Sequence, residues 1–112
     1  MKYVITESQL DKVIFRYLDV QDLNIIKIGA STYFSYPDDN FAQIKYGGNH
    51  ANNELCFIFI GLIGKVSSLF SLDRYQSTRI IGQWVKKKLN LDGQMSNKMM
   101  HAEWSLKIPS EN

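Results

Sequence analysis

The chain opens on a helical period. Leu10, Val13, Ile14, Tyr17 and Leu18 recur at i, i+3, i+4, i+7 and i+8, the spacing that gathers side chains on one face of a helix. Phe15 lies off the stripe at its Leu18 edge, placed to cover a flank. In the preceding Thr6-Glu7-Ser8-Gln9, Thr6 can cap a helix N-terminus while Gln9 reaches back in a capping box. Ile5 is placed to staple onto Leu10. A helix to about Asp19 is expected.

The period then shortens. Asn24–Ile28 and Ser31–Tyr36 are β-rich runs separated by Gly29-Ala30, which predicts a hairpin. Pro37-Asp38-Asp39-Asn40 is turn chemistry. From Phe41 to Tyr46 strand character resumes, with Ala42, Ile44 and Tyr46 alternating against Gln43 and Lys45. Gly47–Asn53 is a polar loop, and the first four strands read as an antiparallel meander.

Leu55–Ile63 is apolar throughout apart from Gly61. A membrane span needs roughly 20 such residues, so the run is expected to be a buried strand, with Leu55, Phe57 and Phe59 on one side and Cys56, Ile58 and Ile60 on the other. Beyond Gly64, Val66, Leu69 and Phe70 suit a short helical turn. Ser71 or Asp73 can then cap a longer helix around residues 74–90. Its stripe is Ser77, Ile80, Ile81, Trp84, Val85 and Leu89. Lys86, Lys87 and Lys88 sit where the helix dipole favours positive charge, and Asn90 with Gly93 supplies the stop. Gly82 costs about 1 kcal/mol in a helix relative to Ala, so close backbone packing is expected beside it. Last, Met100, Ala102, Trp104, Leu106 and Ile108 alternate with Met99, His101, Glu103, Ser105 and Lys107, one more strand with one buried face, ended by Pro109. Both Trp84 and Trp104 fall on the apolar side of their elements and are expected in the core.

These elements define one α+β domain over residues 1–112: an N-terminal helix, a mainly antiparallel sheet of about five strands, and a long helix near the C-terminus. The 112 residues are 45% hydrophobic and 21% charged, an ordinary globular balance. A net charge of +2 is too slight to imply nucleic acid by itself. Its distribution is uneven: residues 1–56 carry five cations against seven acids, and residues 57–112 eight cations against four acids. Cys56 is the sole cysteine, which excludes an internal disulfide; inside the apolar run it reads as a small buried hydrophobe. No apolar segment follows Lys2 before the first polar helix, so no signal peptide and a cytoplasmic location are expected.

Candidate chemistry is sparse. Asp38-Asp39 is an acid pair on a turn tip, where carboxylates are ordinarily solvated. His50, among Asn49, Asn52 and Asn53 after Gly47-Gly48, lacks the Lys-Ser/Thr and the helix of a phosphate cradle. His101 and Glu103 share one face of the last strand, and a metal site there would need His50 as well. No catalytic residue, cofactor site or metal site is assigned. Arg79, Lys86 and Lys87 form a basic stripe, and Tyr33, Phe34, Tyr36 and Tyr46 supply aromatic strand residues. Basic charge with exposed aromatics on a sheet is a recipe for single-stranded nucleic acid, so Arg79, Lys86 and Lys87 are the candidate phosphate contacts.

The opening Met1-Lys2-Tyr3-Val4-Ile5-Thr6-Glu7-Ser8-Gln9-Leu10 resembles the start of small uncharacterised proteins encoded by large tailed phages and marine viral genomes. Leu69-Phe70-Ser71-Leu72 followed by Ile81-Gly82-Gln83-Trp84-Val85 is similar to a helical tail in some of them. The resemblance implies a phage origin and assigns no functional residue. The function expected is a protein–protein interaction module, a small phage accessory protein acting on a host or virion partner; the alternative is nucleic-acid binding through the helix around residues 74–90, and an enzyme ranks third. Two greasy strand faces and few helices also lead to the expectation of a homodimer, should both long helices lie on one side of the sheet.

Overall fold

The computed structural model describes residues 6–47, 55–91 and 100–109. Among these residues, three helices and five strands follow in the order α1 (Glu7–Val20), β1 (Asn24–Ile28), β2 (Ser31–Ser35), β3 (Ile44–Gly47), β4 (Cys56–Phe59), α2 (Ile60–Phe70), α3 (Arg74–Lys88) and β5 (Met100–Glu103). The expected α+β fold is thus present. Its sheet order is β1-β2-β3-β4-β5; the first four strands form the antiparallel meander, and β5 pairs parallel to β4 after the helical crossover.

Local signals act where the residues put them. The Thr6 hydroxyl accepts from Gln9 N at 3.3 Å while Gln9 Oε1 accepts from Thr6 N at 3.0 Å, closing the capping box of α1. Asp73 and Gln76 repeat that arrangement at α3. Ser71 ends α2 in the left-handed conformation, with φ of 54°, and Asn90 does so beyond α3, with φ of 57°. The staple partner Ile5 and the stop residue Gly93 lie outside the described residues. In the β1–β2 hairpin, Gly29 takes φ of +61°, a conformation open to glycine without strain. Tyr36-Pro37-Asp38-Asp39 closes as a turn, Asp39 N donating to Tyr36 O at 3.2 Å, and Asp39 Oδ1 then accepts from Phe41 N at 2.9 Å.

All three helices pack on one face of the sheet. Their Ile14, Leu18, Leu62, Val66, Ile81 and Val85 meet Phe34, Ile44, Cys56 and Ile58 in one buried cluster. The α3 stripe is buried as its spacing predicts, with Leu89 at the margin, and Gly82 is buried among it. Trp84 lies in this core and its indole N–H donates to Asp19 Oδ1 at 2.9 Å. Ser77 Oγ donates to Asp73 O at 2.9 Å, which leaves its lone pairs for the Ser67 hydroxyl at 2.7 Å. That pair joins α2 to α3 without an unsatisfied polar group.

Four expectations need correction. The apolar run Leu55–Ile63 is a four-residue strand that passes directly into α2 at Ile60; Leu62, Ile63 and Val66 are buried together by helical spacing, because the continuous chain must turn back over the sheet. Val13 is 49% exposed despite its place in the α1 stripe: Leu10, Ile14 and Leu18 make the contact and Val13 faces past its edge. Strand β3 begins at Ile44, not Phe41; Phe41 forms a separate antiparallel bridge to Lys107. The last strand stops at Glu103, and Trp104 is 82% exposed instead of buried. The chain bends at Trp104 and returns across the other face of the sheet, where Ala42 N donates to Leu106 O at 2.7 Å and Ile108 N to Asn40 O at 2.9 Å.

That return segment provides the only non-helical cover among the described residues. Leu106 and Ile108 pack with Tyr33, Ala42, Ile26, Ile28, Phe57 and Phe59 in a second, smaller cluster. The helices do lie on a single side, yet the chain itself covers part of the side they leave open. Among the described residues no helix is long and apolar enough to cross a membrane.

Candidate functional site

The basic stripe and the strand aromatics are not brought together. Arg79 lines a cleft of about 330 Å³ with Arg74, Tyr75, Thr78, Ile63, Met100 and Ala102, between α3 and the β5 edge. Lys86 is half-buried, and Lys87 Nζ lies 5.6 Å from the centre of the Phe15 ring. Of the aromatics, Phe34 and Tyr46 are in the helix-side core, Tyr33 is buried on the opposite face, and the Tyr36 hydroxyl donates to Gln21 Oε1 at 2.9 Å. A stacking surface with a basic rim is therefore not built from this set. Among the described residues no three of His, Cys, Asp and Glu gather to hold a metal; His50 lies outside them. Cys56 is fully buried, and burial pushes its thiol pKa up to about 12, because the charged thiolate is disfavoured away from water.

On the helix side one polar cluster is well defined. Lys88 Nζ lies 2.7 Å from Asp19 Oδ1. That contact, with the Trp84 N–H, holds the Asp19 carboxyl below the usual aspartate range. It ties the end of α1 to the end of α3, a structural role.

The other face carries the candidate site. Register aligns Ile26, Tyr33, Lys45, Phe57 and His101 in one row, a residue from each strand. Lys45 Nζ sits 5.8 Å from the Tyr33 ring centre and 5.7 Å from that of Phe57, and Phe57 stacks on His101 at 5.6 Å. Beyond this row is a cleft of about 360 Å³ lined by Phe41, Gln43, Phe59, Trp104, Ser105 and Asp39, with Ala42 and Leu106. Phe41 is 46% exposed and Trp104 is 82% exposed. At the entry to α2 the Phe59 ring lies over Gly61, where a Cβ would come within 2.3 Å of Phe59 Cε2 and oblige the ring to shift.

Gln43 occupies a kink in the ladder. Its N–H donates to Phe34 O at 2.7 Å although Ile44 is the registered partner of Phe34, so two residues oppose one, a β-bulge that re-aims the side chain. Gln43 is 8% exposed, and its carboxamide makes no hydrogen bond among the described residues. No such unpaired atom is sealed from solvent, so the amide opens to the surface at the cleft it lines.

Residue patterns alone missed this site for two reasons. Ala42 is in phase with Ile44 and Tyr46 in the sequence, yet the bulge at Gln43 breaks that alternation and places Ala42 on the opposite face with Tyr33 and Leu106, lining the cleft beside Phe41. Trp104 is likewise in phase with Met100 and Leu106, and only the bend displaces it. No family model matches the chain, and no curated protein or solved structure matches it.

Proposed function

We propose that this chain is a protein–protein interaction module that docks its partner on the open face of the sheet, at the cleft between Phe41, Phe59 and Trp104. One observation carries the reading: Trp104 is 82% exposed beside a second large exposed ring, Phe41. Contact energy concentrates on a few large anchors, Trp foremost, and an indole left in water gains the most by finding a partner pocket. The resemblance of the opening residues to phage-encoded proteins is in keeping with an accessory protein acting on a host or virion partner in the host cytoplasm. Selection of a displayed random-peptide library on wild-type protein, with Trp104→Ala as a parallel target, tests the reading. Peptides that bind wild-type and weaken by about tenfold or more on the variant are expected, as for loss of a central anchor. Peptides held equally by both would refute it.

A second reading, nucleic-acid binding through α3, is favoured by the cleft that Arg79 shares with Arg74 and Tyr75. Neither guanidinium has an ion pair or hydrogen bond among the described residues. Anisotropy of a labelled single-stranded oligonucleotide decides it. Affinity should then fall with salt by roughly 0.7 in log–log slope per phosphate neutralised, and the Arg79→Ala/Lys86→Ala/Lys87→Ala variant should lose most of it.

A further inference from the structure

Most aromatic rings among the described residues have a ring or a cation against them. Lys45 lies over Tyr33 and Phe57, Lys65 over Tyr36, Lys87 over Phe15 and Lys88 over Trp84, each 5.6–5.9 Å from a ring centre. Phe34 packs on Trp84 and Tyr17 on Phe70. Phe41, Phe59 and Trp104 have neither a ring nor a cation against them among the described residues. These three rings line one cleft.

The polar groups of that cleft favour one ligand chemistry. Asp39 is its sole charged lining residue. The carboxylate spends Oδ1 on Phe41 N, and among the described residues no cation pairs with it. Gln43, nine-tenths buried with its amide unpaired, offers one donor and one acceptor side by side, the complement of a peptide group. A phosphate-bearing ligand would meet a carboxylate and no cation there. An ammonium or guanidinium would meet three aromatic side chains and a counter-charge, the combination that makes cation–π contact worthwhile.

Resting on the docking reading above, we infer that the cleft takes a lysine or arginine side chain from an extended segment of the partner protein. The cation lies among Phe41, Phe59 and Trp104, Asp39 meets its charge, and Gln43 pairs with the adjoining peptide group.

The test uses the full chain and peptides from the displayed library, resynthesised with capped termini. Trp104-dependent peptides are expected to share a Lys or Arg at one position, and its replacement by norleucine should weaken binding about tenfold or more. Asp39→Asn, which keeps an acceptor for Phe41 N, should weaken binding about fivefold with an unchanged urea midpoint. Trp104-dependent peptides that have no fixed cation, or tolerate norleucine, overturn the inference and leave the docking reading standing. Peptides indifferent to Trp104→Ala, or no selected peptides at all, overturn both. Equal competition by a single-stranded oligonucleotide assigns the cleft to nucleobases and overturns it. So does a dimer in sedimentation velocity that Trp104→Ala abolishes, which would make a second copy of this chain the occupant.

Discussion

The two tryptophans mark the two faces of one sheet. Trp84 is 3% exposed, tilted against Phe34 with ring centres 5.4 Å apart and hydrogen-bonded to Asp19; Trp104 is 82% exposed with no ring partner among the described residues. Strand β4 shows the same contrast within four residues: Cys56 and Ile58 are fully buried under the helices, while Phe57 and Phe59 are only half covered. Hydrophobicity along the strand is equal on both sides. What differs is the cover, three helices on one face against a short return segment on the other. Stability therefore resides on the helix side, and the docking surface proposed above lies where cover runs out.

The widest separation between the faces should appear in thiol chemistry. With its pKa pushed up to about 12, the Cys56 thiol is neutral at pH 8, whereas an unfolded cysteine titrates near 8.5. Alkylation by iodoacetamide should be on the order of a thousandfold slower in the native protein than in urea, even before access is considered. Rapid native labelling would mean that the helix side opens locally. The shift also has a sign for stability. The folded thiol keeps a proton that the unfolded one loses, so this contribution is full below about pH 8.5 and declines as pH rises toward 12.

Next in size is the tryptophan pair. Trp84→Ala is expected to cost about 3–5 kcal/mol by urea denaturation, from lost burial and an internal cavity. Trp104→Ala should stay within about 0.5 kcal/mol of wild type, as for an exposed site. Iodide should quench Trp104 and spare Trp84; equal quenching, or equal costs, would erase the distinction between the faces.

Leu106→Ala gauges the smaller cluster. Leu106 is buried against Tyr33 and Ala42, and a cost of about 2 kcal/mol, at the low end for such truncations, is expected because a surface segment can settle into the gap. A larger cost would show the return segment to be integral to the core. A stability change near zero would make it a detachable strap.

The smallest effect belongs to Asp19. Its carboxyl is held below the usual range by Lys88 and Trp84, so its stabilisation is present above the unfolded pKa of about 3.9. It is lost as pH falls through the lower folded value. Asp19 is exposed enough for water and salt to screen the pair, so the effect is modest. Asp19→Asn should flatten the acid limb of the stability curve below about pH 4, and an unaltered limb would show that other carboxylates govern acid unfolding.

Sequence by itself determined what depends on near neighbours. Both capping boxes, the α3 stripe, the Gly29-Ala30 hairpin, the Pro37 turn and the burial of Cys56 follow from spacing and side-chain chemistry within a few residues. The two faces of β4 were legible for the same reason, since alternation is a local property. Tertiary structure alone decided where the apolar run turns from strand to helix at Ile60, which side all three helices take, and that the chain bends after Glu103. It also decided how Phe41, Gln43, Phe59 and Trp104, drawn from distant positions, come to share a cleft. A periodic pattern states which side chains want cover; whether cover arrives depends on contacts between segments far apart in sequence, and for Trp104 it does not.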